Sequence, residues 1–265
     1  MSRSSPLPPE FAEPLSRVAG RLGPIGSRVF WYPTATSTND LAAVLAEDGA
    51  AEGCVVAADA QSAGRGRHGR AWASPAGAGL YVSVVLKPER RAVPALTIAA
   101  GVAVAEGIQA ATGLSLDLKW PNDVYAGDRK VAGVLAEAGT NRSTVDHVVL
   151  GFGINVRAAA YPPDVAPRAT SLDRELGREV DRGLLFAECL SALARRYAHL
   201  QAGQSDVVMN AWRARAASTL GRRLRWDTGG ATLEGIAENI DEGGALMVRT
   251  PSGIVTISGG EIVWM

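Results

Sequence analysis

The sequence predicts an α+β domain with a mixed or antiparallel sheet, followed by a small β-barrel. Hydrophobic residues make up 47% of the 265 residues, which is enough to bury a sizeable core. Up to residue 217, strand-like apolar runs are mixed with helical patterns in irregular order. From residue 220 onward, short strand-like segments alternate with glycine turns, which is typical of a small all-β module.

The first 27 residues are predicted to form a flexible segment, with a short helix at residues 11–22. They begin with many serines and prolines and lack the apolar segment of a signal peptide. The longest run of small apolar residues, 92–105, is shorter than the roughly 20 apolar residues that cross a bilayer. The sequence therefore indicates a soluble, cytoplasmic protein that does not bind a membrane.

The larger domain is predicted over residues 28–217 and the second over residues 218–265. At the first helix of the larger domain, Ser37, Thr38 and Asn39 stand at the N-cap, since apolar residues follow at helical spacing. The later helices are predicted at 93–111, 184–200 and 207–217. The strands of the larger domain are predicted at 28–32, 54–58, 80–86, 116–120, 124–127, 131–138 and 145–156. Those of the second domain are predicted at 222–226, 231–240, 245–249, 254–258 and 261–264.

Charge and cysteine content exclude several classes of protein. The net charge is zero, which argues against a protein held on nucleic acid by its overall field. Cys54 and Cys189 are the only cysteines, and both lie in apolar patterns, so free core thiols in a reducing compartment are predicted. The histidines His68, His147 and His199 lack metal-ligand spacing, so no zinc site is predicted.

Lysine is rare in this chain. Only Lys87, Lys119 and Lys130 occur among 27 basic residues, and arginine is used elsewhere. Genomic base composition is a sufficient cause of the bias. Against this background, however, a lysine marks a position where a compact charge is needed in place of a planar fork. Lys87 precedes a proline in a turn, whereas Lys119 and Lys130 lie near other polar motifs.

The segment of residues 64–70, with the sequence GRGRHGR, combines glycines with arginines. Glycines allow close approach of backbone to a ligand, and arginine forks match carboxylate and phosphate oxygens. In an extended loop, Arg65 and Arg67 would point the same way. A flexible anion clamp and a solvated or RNA-binding basic loop are equally compatible with this run alone.

A second polar group follows a predicted strand. Residues 117–123, with the sequence DLKWPND, provide a cation, an amide and a carboxylate, and Asp123 could hold Mg²⁺. Taken alone, the end of this segment is also an ordinary turn after proline. Lys130 follows seven residues later, and Gly151 and Gly153 lie inside a strand, where glycine marks a bulge, a packing need or a bound ligand.

Taken in order, these segments resemble the biotin protein ligase family. The matching positions are 37–39, 61–72, 119–123, 130–133 and 151–155, and the second domain resembles the family's C-terminal SH3-like domain. The arginine-glycine loop together with the Lys-Trp-Pro-Asn-Asp segment is a specific pair. The resemblance implies a catalytic domain of the class II aminoacyl-tRNA synthetase and biotin ligase type, with a mixed or antiparallel sheet.

The resemblance also implies an activity. Biotin and ATP, with Mg²⁺, would form biotinyl-5'-AMP, and biotin would pass to one lysine of the biotin carboxyl carrier protein domain of an acetyl-CoA or acyl-CoA carboxylase. Lys130, Arg67 and Arg65 are the implied catalytic cations, and Asp123 is the implied metal ligand. The implied biotin-binding residues are Ser37, Thr38, Asn39, Gln61, Gly64, Arg65, Arg67, Lys130, Gly133, Gly151 and Ile154. The implied ATP-binding residues are Arg65, Arg67, Arg70, Trp72, Lys119, Asn122, Asp123 and Asn155.

The chain departs from the family pattern in two places. His68 stands where another arginine is often found, and the segment 259–261 lacks the basic residue that can follow it near the nucleotide. Longer family members carry an N-terminal DNA-binding domain, for which the first 27 residues leave no room, so no DNA binding is expected. A homodimer is compatible with the resemblance, and the strand at 145–156 is one expected docking edge for the carrier.

Two other functions stay open at this point. A lipoate or octanoyl ligase or transferase shares the catalytic fold, although a polar Ser-Thr-Asn cluster suits a purely aliphatic acyl chain poorly. A non-catalytic RNA-binding protein could use residues 65–70, although the zero net charge disfavours it.

Overall fold

The computed structural model describes residues 4–141, 144–159, 161–227, 232–260 and 262–265. Its larger part is built on a seven-stranded sheet. The strands of this sheet are β1 (Val29–Ala35), β2 (Val55–Gln61), β3 (Gly79–Leu86), β4 (Asp117–Lys119), β5 (Asp123–Ala126), β6 (Arg129–Asn141) and β7 (Thr144–Asn155). The helices are α1 (Pro9–Arg17), α2 (Thr38–Glu47), α3 (Leu96–Thr112), α4 (Leu172–Leu176), α5 (Arg182–Gln201) and α6 (Ser205–Arg213).

The sheet is mixed, as the sequence predicts. The strand order is β1-β2-β3-β7-β6-β5-β4, and the pair β1–β2 is parallel whereas the other pairs are antiparallel. β3 is buried along its whole length because it lies between β2 and β7 and is covered on both faces. The parallel pair requires a crossover, and α2 supplies it.

The two faces of this sheet have different roles because strand side chains alternate between them. On one face, Leu80, Leu150 and Phe152 join the main hydrophobic core under α3 and α5. On the other face, Val85 and Val149 form a smaller cluster with α2. This second face, called the α2 face below, carries the polar residues of the candidate site.

Helix α3 explains the apolar run of the sequence. It packs on α5 so closely that a Cβ on Gly107 would lie 2.5 Å from the Cα atom of Cys189. Among the described residues, the stretch Arg90–Thr112 is long and apolar enough to cross a membrane by length and composition, and 72% of its most apolar window is buried inside the protein. Such burial is typical of a core helix.

Residues of the segment 4–27 pack against the core, although the sequence predicts a flexible segment there. Phe11 is fully buried, with ring centroids 4.7 Å from Trp31 and 5.7 Å from Phe186. Ser5 N also donates to the carbonyl of Trp31 on the outer strand β1. Because the segment is rich in serine and proline, its composition did not indicate the buried apolar residues Leu15, Val18, Leu22 and Ile25.

The C-terminal part is a five-stranded antiparallel sheet in the order β11-β10-β9-β8-β12, consistent with an SH3-like domain. Its strands are β8 (Arg223–Asp227), β9 (Thr232–Ile240), β10 (Leu246–Thr250), β11 (Gly253–Ile257) and β12 (Ile262–Trp264). The predicted strand starts at positions 231 and 261 lie outside the described residues. The two parts are joined by Trp120, whose Nε1 donates to the carbonyl of Gly244 at 2.8 Å and whose N donates to Thr219 Oγ1 at 2.9 Å.

The strand expected as a docking edge, residues 145–156, is paired on both sides over residues 148–154, whereas residues 145–147 extend beyond β3. β7 is a central strand that pairs with β6 on one side and with β3 on the other. Its residues from Val148 to Asn155 are hydrogen-bonded to β3, so a carrier could not add a strand there.

Candidate active site

A chain of buried polar groups starts at Ser83, which stands alone as a polar residue in the apolar strand β3. Ser83 is fully buried, and its Oγ lies 2.8 Å from Thr38 Oγ1 and 2.6 Å from Asn39 Oδ1. Both partners lie in the first turn of α2, directly after the N-cap residue Ser37. Because buried polar groups are costly unless they are paired, these contacts fix the start of α2 on the sheet.

The same chain continues to the end of β2. Gln61 Oε1 accepts from the backbone N–H of Thr38 at 2.8 Å, and Gln61 Nε2 donates to Ser74 Oγ at 2.9 Å. The structure thus brings Ser37, Thr38, Asn39 and Gln61, expected together from the sequence, into one group on the α2 face.

Three glycines make room on this face. A Cβ on Gly151 would lie 2.0 Å from Asn39 Oδ1, so the missing side chain accommodates that amide. Gly133 and Gly153 stand opposite each other across β6 and β7, where added Cβ atoms would lie 3.2 Å and 2.6 Å from the indole of Trp72. Trp72 therefore rests on a platform of two glycines, and its buried Nε1 finds no hydrogen-bond partner among the described residues.

Ile154 is the expected slot residue that the structure does not bring to this face. It is fully buried in the main core, and strand alternation turns its side chain away from the neighbouring Gly153. The family resemblance grouped Ile154 with Gly133 and Gly151 as residues that line the slot. In a strand, adjacency puts side chains on opposite faces.

The arginine-glycine loop is folded as a hairpin over the α2 face. Gly66 N donates to the carbonyl of Arg70 at 2.7 Å, and Trp72 N donates to the carbonyl of Gly64 at 2.9 Å. At the tip, His68 has a φ of 56°, a left-handed conformation that histidine tolerates better than most non-glycine residues. This local geometry accounts for a residue other than arginine at that position.

Arg65 is held by two carboxylates. Its Nη1 and Nη2 donate to the two carboxylate oxygens of Glu137 at 2.9 and 3.0 Å, and Nη2 also donates to Asp40 Oδ1 at 2.5 Å. Glu137 also accepts from Asn39 Nδ2 at 2.7 Å. The loop is thereby linked to the polar chain of α2.

Lys130 and, through its charge, Arg67 interact with Asp123. Lys130 Nζ lies 2.6 Å from Asp123 Oδ1 and 5.2 Å from the ring centroid of Trp72. Burial lowers the pKa of Arg67, and the charge of Asp123 opposes that shift. Lys130 therefore contacts the Asp123 carboxylate directly, and Arg67 lies near enough for its charge to interact with the same group.

Lys119 lies at the junction with the C-terminal sheet. Its Nζ is 4.9 Å from the ring centroid of Tyr125 and 5.7 Å from that of Trp264 in β12. Burial lowers the pKa of Lys119, and the charge of Arg222 lowers it further. A cation in such a position gains by binding a phosphate.

The two asparagines expected at the nucleotide support loops in this structure. Asn122 Nδ2 donates to the carbonyl of Val134 at 2.7 Å, and Asn155 Nδ2 donates to the carbonyl of Thr170 at 3.0 Å. Thr170 N in turn donates to the carbonyl of Lys130. Both amides therefore brace the strands that carry the cations, and their contact with ATP stays a prediction.

The surroundings of Asp123 fit a magnesium ion that is held mainly by phosphates. Among the described residues, no group of three or more histidine, cysteine or acidic side chains could hold a metal. Mg²⁺ bound with a nucleotide needs one or two carboxylates beside phosphates and waters. Asp123 Oδ1 is buried, and its close contact with Lys130 lacks hydrogen-bond geometry, so this oxygen has capacity for a further ligand.

Sequence reasoning missed several residues of this site. Ser83 carried a usable signal, because it is a lone polar residue in an otherwise apolar strand. Glu137, Asp40 and Trp264 carried no comparable signal, since an acidic or aromatic side chain in a strand or helix is ordinary. Their roles became visible only through partners that are remote in sequence.

Comparison with known proteins identifies the family. Residues 31–155 match the model of the Biotin/lipoate A/B protein ligase family, and residues 219–265 match the Biotin protein ligase C terminal domain. The biotin–[acetyl-CoA-carboxylase] ligase of Paracoccus denitrificans is 39% identical over 233 residues, covering 85% of this chain and 96% of that protein. That of Mycobacterium tuberculosis is 37% identical over 238 residues, covering 87% and 86%.

A solved structure gives the same result. Biotin protein ligase from Aquifex aeolicus in complex with biotin and ATP superimposes with a TM-score of 0.78 at 29% identity, covering 90% of this chain and 99% of that chain. The predicted fold class is confirmed, and neither the lipoate nor the RNA-binding alternative is favoured. The chain belongs to the biotin protein ligase family.

Proposed function

We propose that this ligase activates biotin with ATP on the α2 face and then transfers the biotin to a lysine of a carrier protein. The observation that carries the proposal is the contact of Lys130 with both Asp123 and the ring of Trp72, beside the glycine platform, with Arg67 near enough for its charge to interact with Asp123. Cations and a buried polar chain meet there, as an anionic acyl-nucleotide with a neutral polar head would require.

The polar chain of Ser37, Thr38, Asn39 and Gln61 is the proposed seat of the ureido ring of biotin. The ring is neutral and has both N–H donors and a carbonyl acceptor, so it can share hydrogen bonds with hydroxyl and amide groups. Trp72 now covers the flat surface that Gly133 and Gly153 form. This surface becomes free for the bicyclic ring of biotin when Trp72 moves aside or turns to stack on the adenine.

In the first half-reaction, a carboxylate oxygen of biotin attacks the α-phosphorus of ATP. The bond between the α-phosphorus and the pyrophosphate oxygen breaks, and pyrophosphate leaves with that electron pair. Charge accumulates on the phosphate oxygens in this step, so the fixed cations Lys130, Arg65 and Arg67 lower the barrier. Lys119 is suited to the departing phosphates because its charge is otherwise poorly solvated.

In the second half-reaction, the neutral amine of a carrier lysine attacks the acyl carbon of biotinyl-5'-AMP. An amide bond forms, AMP leaves with the electron pair of the acyl–oxygen bond, and the amine proton is lost to solvent or phosphate. The mixed anhydride is labile to water, so closure of the arginine-glycine loop protects it. We further propose the carrier to be the biotin carboxyl carrier domain of a cytoplasmic carboxylase.

Mg²⁺ would neutralise phosphate charge when bound, and Asp123 is the residue that would hold it. Because Asp123 also contacts Lys130, this carboxylate would orient the lysine toward the α-phosphate.

Substitution of Lys130 by alanine tests the proposal. We expect Lys130→Ala to abolish pyrophosphate release from biotin and ATP, because the cation next to the reacting phosphate is lost. The control is Lys87→Ala, which removes an exposed lysine outside the site. Near-normal pyrophosphate release by Lys130→Ala, with wild-type thermal unfolding, would overturn the assignment.

Calorimetric titration separates biotin from lipoate as the acyl substrate. The polar chain favours the ureido ring, so we expect biotin to bind and lipoate to bind far more weakly. Equal affinities would show that the buried polar groups do not distinguish the ureido ring of biotin from the ring of lipoate.

A further inference from the structure

Glu137 lies on β6 with both carboxylate oxygens engaged on the α2 face. One oxygen accepts from Arg65 Nη1 at 2.9 Å, and the other accepts from Arg65 Nη2 at 3.0 Å and from Asn39 Nδ2 at 2.7 Å. Asn39 Oδ1 meanwhile faces Ser83 at 2.6 Å. One carboxylate thereby joins the arginine-glycine loop, the first turn of α2 and the sheet.

The pairing leaves Arg65 able to bind a ligand. A guanidinium has five N–H donors, and Glu137 and Asp40 take three of them through Nη1 and Nη2. Within the described part of the chain, no side chain takes the Nε proton or the second Nη1 proton. A bidentate carboxylate holds the planar fork in one orientation, so these remaining donors have a fixed direction.

We propose that Glu137 is a positioning residue for biotin activation. It holds Arg65 against Asn39 and so keeps the loop closed over the adenylate. The inference rests on the proposed function, because it concerns retention of biotinyl-5'-AMP in the same site. Glu137 itself need not touch biotin or ATP.

Substitution of Glu137 by glutamine changes this arrangement without changing its size. The amide keeps one acceptor oxygen, but its NH₂ group faces an Arg65 donor in either orientation, and in one orientation it also faces Asn39 Nδ2. The loop then loses a charge-assisted bidentate contact and opens more often. Such contacts contribute enough that release of a bound anion becomes faster by roughly tenfold or more.

The experiment measures release of radiolabelled biotinyl-5'-AMP from the full chain by chase with excess unlabelled biotinyl-5'-AMP. We expect Glu137→Gln to release the adenylate at least about tenfold faster than wild type, and Glu137→Asp to fall between them. Supplying the adenylate makes the readout independent of the chemical step. The Asp variant keeps the test available if the Gln variant does not fold.

A double-mutant cycle with Arg65→Ala tests the route of the effect. If Glu137 acts through Arg65, Glu137→Gln should add less than about a twofold change in the Arg65→Ala background. A matched control is Glu188→Gln, because Glu188 of α5 forms a bidentate pair at 3.1 and 2.7 Å with Arg21, which follows α1. This control should release the adenylate at the wild-type rate.

Two results would overturn the inference: wild-type release by Glu137→Gln, or an undiminished effect in the Arg65→Ala background. The proposed function would fail differently, since wild-type protein would then neither bind the adenylate nor form it from biotin and ATP.

Discussion

Two clusters of arginine and carboxylate side chains have the same chemistry in different surroundings. In the helix cluster, Glu106 of α3 accepts from Arg196 at 2.5 and 3.0 Å and from Arg195 at 2.9 Å. In the loop cluster, Arg65 binds Glu137 and Asp40 over similar distances. The side chains of Glu106 and Arg196 are 11% and 10% exposed, whereas those of Arg65 and Glu137 are 42% and 37% exposed.

The difference teaches which charges can change partner. A buried pair cannot regain water, so loss of one member leaves the other charged and unsolvated. A half-exposed pair is solvated in part and screened by salt, so an incoming carboxylate or phosphate can bind the remaining N–H donors of its arginine at little cost. We therefore expect the helix cluster to act in stability and the loop cluster to act in ligand binding.

The largest effect is expected in the helix cluster. Glu106→Gln should lower the free energy of unfolding by about 3–5 kcal/mol, because Arg196 would remain buried without its counter-charge. Denaturant unfolding measures this loss, and the KM for biotin should stay at the wild-type value in the folded variant. A loss below about 1 kcal/mol would place this cluster in the same class as exposed pairs.

A smaller effect, on the affinity for biotin, is expected for a substitution of Gly151, which lies next to Asn39, a partner of Glu137. In Gly151→Ala the new Cβ would lie 2.0 Å from Asn39 Oδ1, so Asn39 must move away from Glu137. We expect biotin affinity to fall about tenfold, the equivalent of one good hydrogen bond. The control is Gly101→Ala on α3, where the nearest atom would be 3.7 Å away. Unchanged biotin affinity in Gly151→Ala would show that the position of Asn39 beside Glu137 does not matter for biotin binding.

Low pH should remove part of the contribution that the helix cluster makes to the free energy of unfolding. Burial alone would raise the pKa of Glu106, but the hydrogen bonds from Arg196 and Arg195 outweigh it and hold the pKa below its usual range. The stability from this carboxylate is therefore present above the ordinary glutamate pKa of about 4.3 and is lost as pH falls through the lower, folded value. The stability difference between wild type and Glu106→Gln should shrink as pH falls from about 7 to about 3. A difference that stays constant with pH would contradict the assigned sign.

Sequence patterns were most informative where the contacts are local. The strands β3 and β7 begin and end within a residue or so of their predicted bounds, because apolar runs and glycine turns determine them. The motif residues Thr38, Lys130 and Arg67 were found through a family resemblance. The same resemblance did not predict the direction of the Ile154 side chain, because a sequence motif does not specify the face of the strand on which each side chain lies.

Long-range pairing explains most of what was missed. Glu137 and Asn39 are 98 positions apart, and their contact follows from sheet order and from the seat of α2 on β3 and β7. The burial of Phe11 depends in the same way on α5, far along the chain. A single sequence contains the residue types of such contacts but not the topology that joins them.

The smallest effect is expected for stability in the loop cluster, and it is the sharpest test of the comparison. Arg65→Ala should lower the free energy of unfolding by less than about 1 kcal/mol, because its ion pairs are half-exposed and salt already screens them. The same change should greatly weaken binding of biotinyl-5'-AMP, since the remaining N–H donors of the fork are lost. Denaturant unfolding at low and high salt measures the first quantity, and adenylate titration measures the second. If Arg65→Ala cost as much stability as Glu106→Gln, burial would not be what separates structural from functional charge pairs in this protein. The loop would then be a fixed part of the fold, unable to open for its ligands.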